Sequence, residues 1–321
     1  MKMVLVSVLM GSYNHEKYIS EAIESVLNQT FRDLELIIVD DCSTDNSRSI
    51  IEKYQAKDER VRAFFHEKNM GIAQTANDGF KESRGKFISF LASDDVWVPC
   101  KLEKQLALIK NHEDQVLWSE GEIIDGNGVP TGMTFTQMHL VSKKKKTGNL
   151  FKEIIDDNYI LGQSLLFKKG HVNGITFDLN LKYLNDYRFM VDLASKHEFF
   201  FISEPLAKYR VHNGNSISKD QTAWLKDLIL LGNYFLERYG DDISSNMKGI
   251  LYLKIGKAYS SLGQKDLAKQ FYLKAISVDF LSKEGILYLT YALTDAKGLL
   301  GNFLLSLYFK LNSIFDLRSY N

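Results

Sequence analysis

The sequence predicts an α/β fold, in which a mostly parallel sheet flanked by helices is followed by an all-helical extension. Four short apolar runs occur at nearly even spacing, at residues 4–10, 34–39, 61–65 and 87–91. These runs do not alternate with polar residues, which is typical of strands buried on both faces of a sheet. Helix-spaced apolar positions separate them, and such an alternation indicates a parallel sheet with crossover helices. From Gln221 onward the pattern is helical.

The composition favours a globular protein without a nucleic-acid partner. The chain has 321 residues, of which 45% are hydrophobic and 25% charged, and Lys plus Arg equal Asp plus Glu at 40 each. Such a balance excludes the basic class of nucleic-acid binders. The two cysteines, Cys42 and Cys100, make no disulfide framework and favour a reducing compartment. We expect the N-terminus to be a buried strand rather than a secretion signal, no membrane span, and a cytoplasmic location.

Polar residues follow three of the four predicted strands at the point where each strand ends. Because ligands of open parallel sheets bind beyond the carboxyl ends of the strands, we expect these residues to converge on one site. The polar tips are Ser12, Tyr13 and Asn14 after the first strand, Asp40 and Asp41 after the second, and Ser93, Asp94 and Asp95 after the fourth.

The adjacent acids Asp94 and Asp95 favour a divalent metal, Mn²⁺ or Mg²⁺. Two like charges side by side are costly unless something neutralises them, and hard cations take carboxylate ligands together with substrate phosphates. An alternative is that one acid caps the helix that begins near Pro99 while the other is solvated. The chain has no GxGxxG, GxxxxGK[ST] or GxSxG motif. A bound nucleotide would therefore have its phosphates held by metal rather than by a glycine-rich turn.

The remainder of the chain is predicted in less detail. Residues 120–132 are rich in turn formers and indicate a hairpin or an excursion loop, and 199–202 resemble a further strand before Pro205. The lysines at 143–146 are either a solvated loop or a contact to an anionic acceptor or lipid. Residues 252–279 have the spacing of one tetratricopeptide hairpin. The apolar tail at 298–315 is either a core helix or a helix for membrane-surface or homo-oligomer contact.

Several segments together resemble glycosyltransferase family 2, of the GT-A fold with its Rossmann-like sheet. The matching segments are 6–31, 34–47, 69–105, 184–196 and 209–218. They occur in the family's order and spacing, and on this basis we expect a GT-A domain at 1–217 and a helical extension at 218–321. The resemblance implies inverting transfer from a nucleotide-sugar donor, with a UDP-sugar expected, to a polysaccharide, oligosaccharide or lipid-linked acceptor. It also implies a divalent metal, Mn or Mg.

The resemblance also implies roles for individual residues. Tyr13 would lie near the base, Asp41 would accept a base N–H, and Asp186 would be the catalytic base. The full set comprises Ser12, Tyr13, Asn14, Asp40, Asp41 and Ser93 for the nucleotide, Asp94 and Asp95 for the metal, Asp186 for catalysis, and Arg210 and His212 for the donor phosphates or the loop that covers them.

Two positions depart from the family pattern. Ala92 stands where the family often has an acid, which leaves the metal fewer protein ligands. Asn185 stands where a glutamate is usual, and a neutral neighbour raises the pKa of Asp186 less than a carboxylate would. Asp186 or Asn185 is alternatively a helix cap. Three functions therefore stay open: a sugar transferase at the inner face of a membrane, a nucleotidyltransferase, and a non-catalytic relative that binds nucleotides or partners.

Overall fold

The chain divides into two compact units. The computed structural model describes residues 4–139, 146–212 and 220–278. The first unit comprises Met1–Lys219 and the second Asp220–Asn321. The lysines at 143–145 and the apolar tail at 298–315 lie outside the described residues, so the expectations about them stay predictions.

The first unit alternates strands and helices along most of its length. Its described strands are β1 (Val6–Ser12), β2 (Leu34–Asp40), β3 (Val61–Phe65), β4 (Phe87–Phe90), β5 (Val96–Trp97), β6 (Val116–Asp125), β7 (Pro130–Thr134), β8 (Phe167–Lys168) and β9 (Phe199–Val211). Its described helices are α1 (Ile19–Leu27), α2 (Ser47–Lys57), α3 (Ile72–Glu82), α4 (Lys101–Ile109), α5 (Phe135–Met138), α6 (Phe151–Asp156) and α7 (Asn185–Ala194).

The first sheet has the strand order β3-β2-β1-β4-β8 and is parallel except for β8. All four predicted apolar runs form its parallel strands. β1 lies at the centre, and its residues Val8 and Met10 are 0% and 1% exposed. Burial of both faces explains why these runs lack polar alternation, because helices cover each side. The prediction of a mostly parallel α/β sheet is confirmed.

The second sheet has the order β5-β9-β6-β7 and contains the predicted hairpin, formed by the antiparallel pair β6 and β7. The strand predicted at 199–202 is longer than expected and continues through Pro205 to Val211. It continues because the pairing of β9 with β6 is irregular around Pro205, where proline has no N–H to donate. Residues 91–95 connect β4 of the first sheet to β5 of the second.

The second unit is helical in its described part, with α8 (Gln221–Tyr239), α9 (Ser245–Ser261) and α10 (Lys265–Val278). A Cβ at Gly256 of α9 would lie 2.5 Å from Cε1 of Tyr272 on α10, so the absence of a side chain allows the two helices to pack closely. None of the helices within the described residues is long and apolar enough to cross a bilayer.

The first prediction concerns Gly85, which precedes β4. A Cβ there would lie 2.5 Å from the backbone nitrogen of Ser7, which cannot move without disturbing β1. We expect Gly85→Ala to destabilise the first unit by about 2 kcal/mol, as overpacking does. The midpoint of its thermal transition should fall by roughly 4–8 °C, measured by calorimetry.

Gly170→Ala is the matched control, since a Cβ at Gly170 meets no atom within 4 Å. Equal midpoints for the two variants would contradict the steric explanation.

Candidate active site

The candidate site lies where the carboxyl ends of β1, β2 and β4 meet the end of β9. The link from β4 to β5 contains Ser93, Asp94 and Asp95, and all three are buried. The parallel pairing of β1 with β2 and β4 explains this convergence, because it places their carboxyl ends at one edge.

Asp94 is surrounded by two imidazole rings. Its Oδ2 lies 3.0 Å from Nε2 of His212 and 3.9 Å from Nε2 of His15. One potential ligand atom from each of the three residues falls within 4.8 Å of the others. Ligand atoms that share one transition-metal ion at about 2.0–2.2 Å lie at comparable separations, so these residues fit a divalent cation. His15 was assigned no role from the sequence.

The Asp95 carboxylate is directed into the protein. Its Oδ1 accepts the backbone N–H of Arg210 at 2.7 Å, and its Oδ2 accepts a bond from the side-chain amide of Gln163. Burial, and after it the charge of Asp94, raises the pKa of Asp95 well above its usual range. Asp95 is therefore engaged by protein donors, and the potential ligand group found among the described residues contains Asp94 but not Asp95.

Arg210 connects the parts of the site. The residue is 1% exposed, and its guanidinium donates to the backbone oxygen of Asp94 at 2.7 Å, to that of Asp125 at 3.4 Å and to Oε2 of Glu21 at 2.6 Å. It also lies 5.0 Å from the centre of the Tyr18 ring. Of the two roles considered for Arg210, these bonds favour support of the loop over direct contact with donor phosphates.

The residues predicted to hold the nucleotide lie beside this centre. Tyr13 is 46% exposed, which leaves its ring accessible. The buried hydroxyl of Ser12 has no hydrogen-bond partner among the described residues. Asn14 has a φ of 55°, and its side-chain oxygen accepts the N–H of Thr44 at 2.8 Å. An unsatisfied buried hydroxyl next to an exposed aromatic ring is consistent with a ligand at this edge.

Asp40 and Asp41 hold the surrounding turns. Asp40 accepts the backbone N–H of Ser43 at 2.9 Å and its hydroxyl at 2.6 Å. Asp41 accepts the N–H groups of Met70 and Gly71, at 2.7 and 2.8 Å, just before α3. Nδ1 of His66 lies 2.8 Å from the same carboxylate. The expected contact of Asp41 with a base stays a prediction. A base N–H would have to bind a lone pair of the carboxylate that these three contacts do not use.

Asp186 lies in the first turn of α7, and its Oδ1 accepts the N–H of Tyr187 at 2.7 Å. The side chain is exposed, but dense surrounding protein desolvates it and raises the pKa of Asp186 to about 6. Burial raises the pKa of Tyr209 to about 12, and the nearby charges of Asp95, Asp94 and Asp186 contribute to this shift. Tyr209 is therefore within electrostatic reach of both the acid pair and Asp186.

Comparison with known proteins assigns the family. The model for glycosyl transferase family 2 matches residues 7–174, more than half of the chain. The chain belongs to glycosyltransferase family 2. It is therefore a transferase enzyme of a family that acts on nucleotide sugars, and the resemblance of its motifs to that family is confirmed. A tetratricopeptide repeat model matches residues 250–280, within the second unit.

Two relatives show how far the similarity extends. An uncharacterised glycosyltransferase of Methanocaldococcus jannaschii is 34% identical over 217 residues, which cover 65% of this chain and 71% of the relative. A Bacillus subtilis glycosyltransferase, TuaG, assigned to teichuronic acid biosynthesis, is 39% identical over 126 residues. That match covers 39% of this chain and half of the relative.

Solved structures confirm the GT-A type of fold. S. aureus TarS, residues 1–349 in complex with UDP-GlcNAc, has a TM-score of 0.68 at 24% identity, with 90% of this chain and 87% of that chain covered. A mannosyltransferase of Pyrobaculum calidifontis in complex with GDP-Man and Mn²⁺ has a TM-score of 0.59 at 12% identity, with 98% and 88% covered.

Sequence patterns did not assign a role to three polar residues of this family 2 site. His15, His66 and Gln163 all contact predicted site residues, namely Asp94, Asp41 and Asp95. The residues of each pair are separated along the chain by 25 or more positions, so no local motif contains them. A histidine directly after Tyr13-Asn14 was the one available signal for His15.

The second prediction concerns Arg210. Arg210→Met should destabilise the first unit by about 3 kcal/mol, because it leaves the carbonyl of Asp94 and the loop around it without charge-assisted bonds. Sugar transfer should fall in parallel, since the loop that holds Asp94 loses its support. Chemical denaturation and an activity assay measure the two effects.

Lys208→Met is the matched control, because it removes a cation from the same strand. Lys208 is partly exposed and lies 3.4 Å from Glu122, so its loss should cost less than about 1 kcal/mol. A similar loss of stability in both variants would contradict the role given to Arg210.

Proposed function

We propose that this enzyme transfers a sugar from a uridine diphosphate sugar to a hydroxyl of a glycan or lipid-linked acceptor, with inversion of the anomeric centre. The observation that supports this most is the group formed by the Asp94 carboxylate and the His15 and His212 imidazoles beyond the sheet edge. A second carboxyl group, that of Asp186, has a pKa raised to about 6. The charges of Asp94 and Asp186 both contribute to the raised pKa of Tyr209. Cation binding and proton abstraction are the two tasks that such a displacement requires.

The choice of donor is based on two residues after β1 and on the neighbours in the fold. Tyr13 offers an exposed ring to a base, and the unsatisfied hydroxyl of Ser12 offers a bond to a polar ligand. TarS was crystallised with UDP-GlcNAc and with UDP. The roles of Asn14, Asp40 and Asp41 in this proposal are to shape the turns around the nucleoside, with Asp41 also accepting a base N–H.

We assign the cation to Asp94 together with His212, and we assign Asp95 a supporting role. Asp95 fixes the loop through the N–H of Arg210, so that the Asp94 carboxylate is presented toward His212. A bound Mn²⁺ or Mg²⁺ would supply positive charge to the leaving diphosphate. The mannosyltransferase neighbour was crystallised with Mn²⁺.

Asp186 is the proposed general base. It would take the proton from an acceptor hydroxyl as that oxygen attacks the anomeric carbon from the face opposite the diphosphate. One displacement without a covalent enzyme intermediate inverts the configuration. A pKa of about 6 suits this role, because the carboxylate is ionised at neutral pH yet has more proton affinity than an ordinary aspartate. Desolvation raises this pKa without the glutamate that is usual at position 185.

The acceptor is proposed from one relative. TuaG is assigned to teichuronic acid biosynthesis, which is consistent with a cell-envelope glycan as the acceptor. The transfer would take place in the cytoplasm, at the inner face of the cell membrane, where lipid-linked glycans are extended.

The third prediction tests the donor and the cation together. UDP with Mn²⁺ should raise the thermal midpoint of the first unit, because a ligand at 100 times its Kd stabilises the folded state by about 2.7 kcal/mol. UDP with a chelator should give a much smaller shift. The measurement is a thermal melt against a panel of nucleoside diphosphates and triphosphates, each with and without metal.

Asp94→Asn is the control variant, and it should lose the metal-dependent part of the shift. A preference for triphosphates would instead indicate a nucleotidyltransferase. If no nucleotide changes the midpoint, the proposed donor is wrong.

The fourth prediction concerns Asp186. Asp186→Asn should lower kcat by roughly 10²–10⁴-fold, the usual contribution of a general base, with the affinity for UDP nearly unchanged. In the unaltered enzyme kcat/KM should rise with pH up to about 6 and then level off, because only the carboxylate accepts the proton. Steady-state kinetics across pH and UDP titration measure both.

The control for Asp186 is Asp114→Asn, since the side chain of Asp114 is 94% exposed and lies on the surface. It should leave kcat and the pH profile unchanged. Loss of UDP binding together with activity in Asp186→Asn would show that Asp186 is structural instead.

A further inference from the structure

We infer that His15 is a third protein ligand of the cation, and that the resulting set of two histidines and one aspartate selects a first-row transition ion over Mg²⁺. The inference rests on the proposed function, since it concerns the cation assigned there to Asp94 and His212. It adds a residue outside the β4–β5 link that contains Asp94, and it narrows the choice between Mn²⁺ and Mg²⁺ that the sequence left open.

The geometry places His15 at this centre. Its Nε2 lies 3.9 Å from Oδ2 of Asp94, and the His15 and His212 rings are 6.0 Å apart at their centres. The His15 ring would have to move slightly for its Nε2 to reach a cation that is bound by Oδ2 of Asp94 and Nε2 of His212. The three residues come from the end of β1, from the β4–β5 link and from the end of β9, so the ion would join three parts of the fold.

Ser93 contacts the ring nitrogen of His15 that faces away from Asp94. The Ser93 hydroxyl lies 2.8 Å from Nδ1 of His15, and Ser93 is 1% exposed. In the tautomer that the inference requires, this hydroxyl accepts the Nδ1 proton, and the lone pair is on Nε2, the nitrogen that faces Asp94. Metal-binding histidines commonly have such a partner on the second ring nitrogen, which sets both tautomer and ring orientation.

The backbone of His15 is also held in place. Its N–H donates to the Ser47 hydroxyl at 3.0 Å, and its carbonyl accepts the N–H groups of Tyr18 and Ile19 at 2.9 Å each. The Tyr18 ring packs against both imidazoles, with ring centres 6.3 Å from His15 and 4.6 Å from His212. A ring held by its backbone, by Ser93 and by Tyr18 loses little conformational freedom when it binds a cation, so the site is largely preorganised.

The ligand types determine which ion is preferred. Mg²⁺ demands oxygen ligands in near-octahedral geometry and keeps several waters, whereas imidazole nitrogen suits first-row transition ions. Two imidazoles and one carboxylate therefore disfavour Mg²⁺ relative to Mn²⁺. Among transition ions, affinity for such a set rises from Mn²⁺ to Co²⁺.

The fifth prediction is tested by cation binding without any substrate. Mn²⁺ is titrated into the full chain and the free ion is followed by electron paramagnetic resonance, and Mg²⁺ and Co²⁺ are measured by competition. His15→Ala should weaken Mn²⁺ binding by roughly 10–100-fold and leave the affinity for Mg²⁺ nearly unchanged. Ser93→Ala, which keeps the ligand but frees its ring, should cost roughly 10-fold for Mn²⁺.

His112→Ala is the matched control. The His112 ring is also partly buried and has its own partners, Gln115 at 2.6 Å and the stacked Phe200 ring, but it lies outside the proposed centre. The Mn²⁺ affinity of the His112→Ala variant should equal that of the unaltered chain. A second readout needs no variant: pulsed electron paramagnetic resonance of bound Mn²⁺ should show two coordinated imidazole nitrogens.

The outcomes separate this inference from the proposed function. If Asp94→Asn removes Mn²⁺ binding while His15→Ala does not weaken it, or if one imidazole nitrogen is found, His15 is not a ligand and the cation of the proposed function stands. If neither variant changes Mn²⁺ binding, the cation assigned to Asp94 is wrong as well. Mg²⁺ binding as tight as Mn²⁺ binding would overturn the proposed selectivity.

Discussion

The buried guanidinium of Arg210 is the interaction on which the rest of the site depends. The backbone N–H of Arg210 donates to Asp95 in the β4–β5 link. Its guanidinium donates to Asp94 in the same link, to Asp125 in the hairpin and to Glu21 in helix α1. A buried cation is costly unless it is fully bonded, and loss of the Glu21 carboxylate would remove an opposite charge that contacts it. The loop that holds Asp94 is therefore set by elements far apart in the sequence, all of which must fold before the site exists.

The two adjacent acids are compatible because they face different surroundings. Asp95 is fixed by protein donors, and its raised pKa reflects how costly its ionised form is beside Asp94. Asp94 instead faces imidazoles that can share a cation with it. The missing acid at position 92 also gains an explanation: if His15 and His212 complete the ligand set, the centre does not need a carboxylate there.

The sequence predicts well what depends on local pattern and poorly what depends on pairing across the chain. The strands of the first sheet are visible as unbroken apolar runs, because burial on both faces demands them. The convergence of Ser12, Asp41 and Asp94 follows from parallel strands alone. His15 was missed because its partners, Ser93 and Asp94, lie 78 or more residues away. The exact length of β9 was missed because proline normally ends a strand, whereas here the neighbouring strand accommodates it through irregular pairing.

That irregularity decides which residues of β9 face the site. From Ile202 to Lys208 the strand advances six residues, while its partner β6 advances only three, from Ser119 to Glu122. β9 therefore gains three residues on β6 over this stretch, which is an odd number. Because side chains alternate between the two faces of a strand, each residue of β9 beyond Pro205 faces the side opposite to the one it would face in an unbroken ladder. Arg210 and His212, two residues apart, thereby share the face directed at Asp94. An unbroken ladder from Ser119 and Ile202 would place Ala207 opposite Ile124, where Arg210 lies, and Tyr209 in the place of His212, with neither a guanidinium for the loop nor an imidazole for the cation.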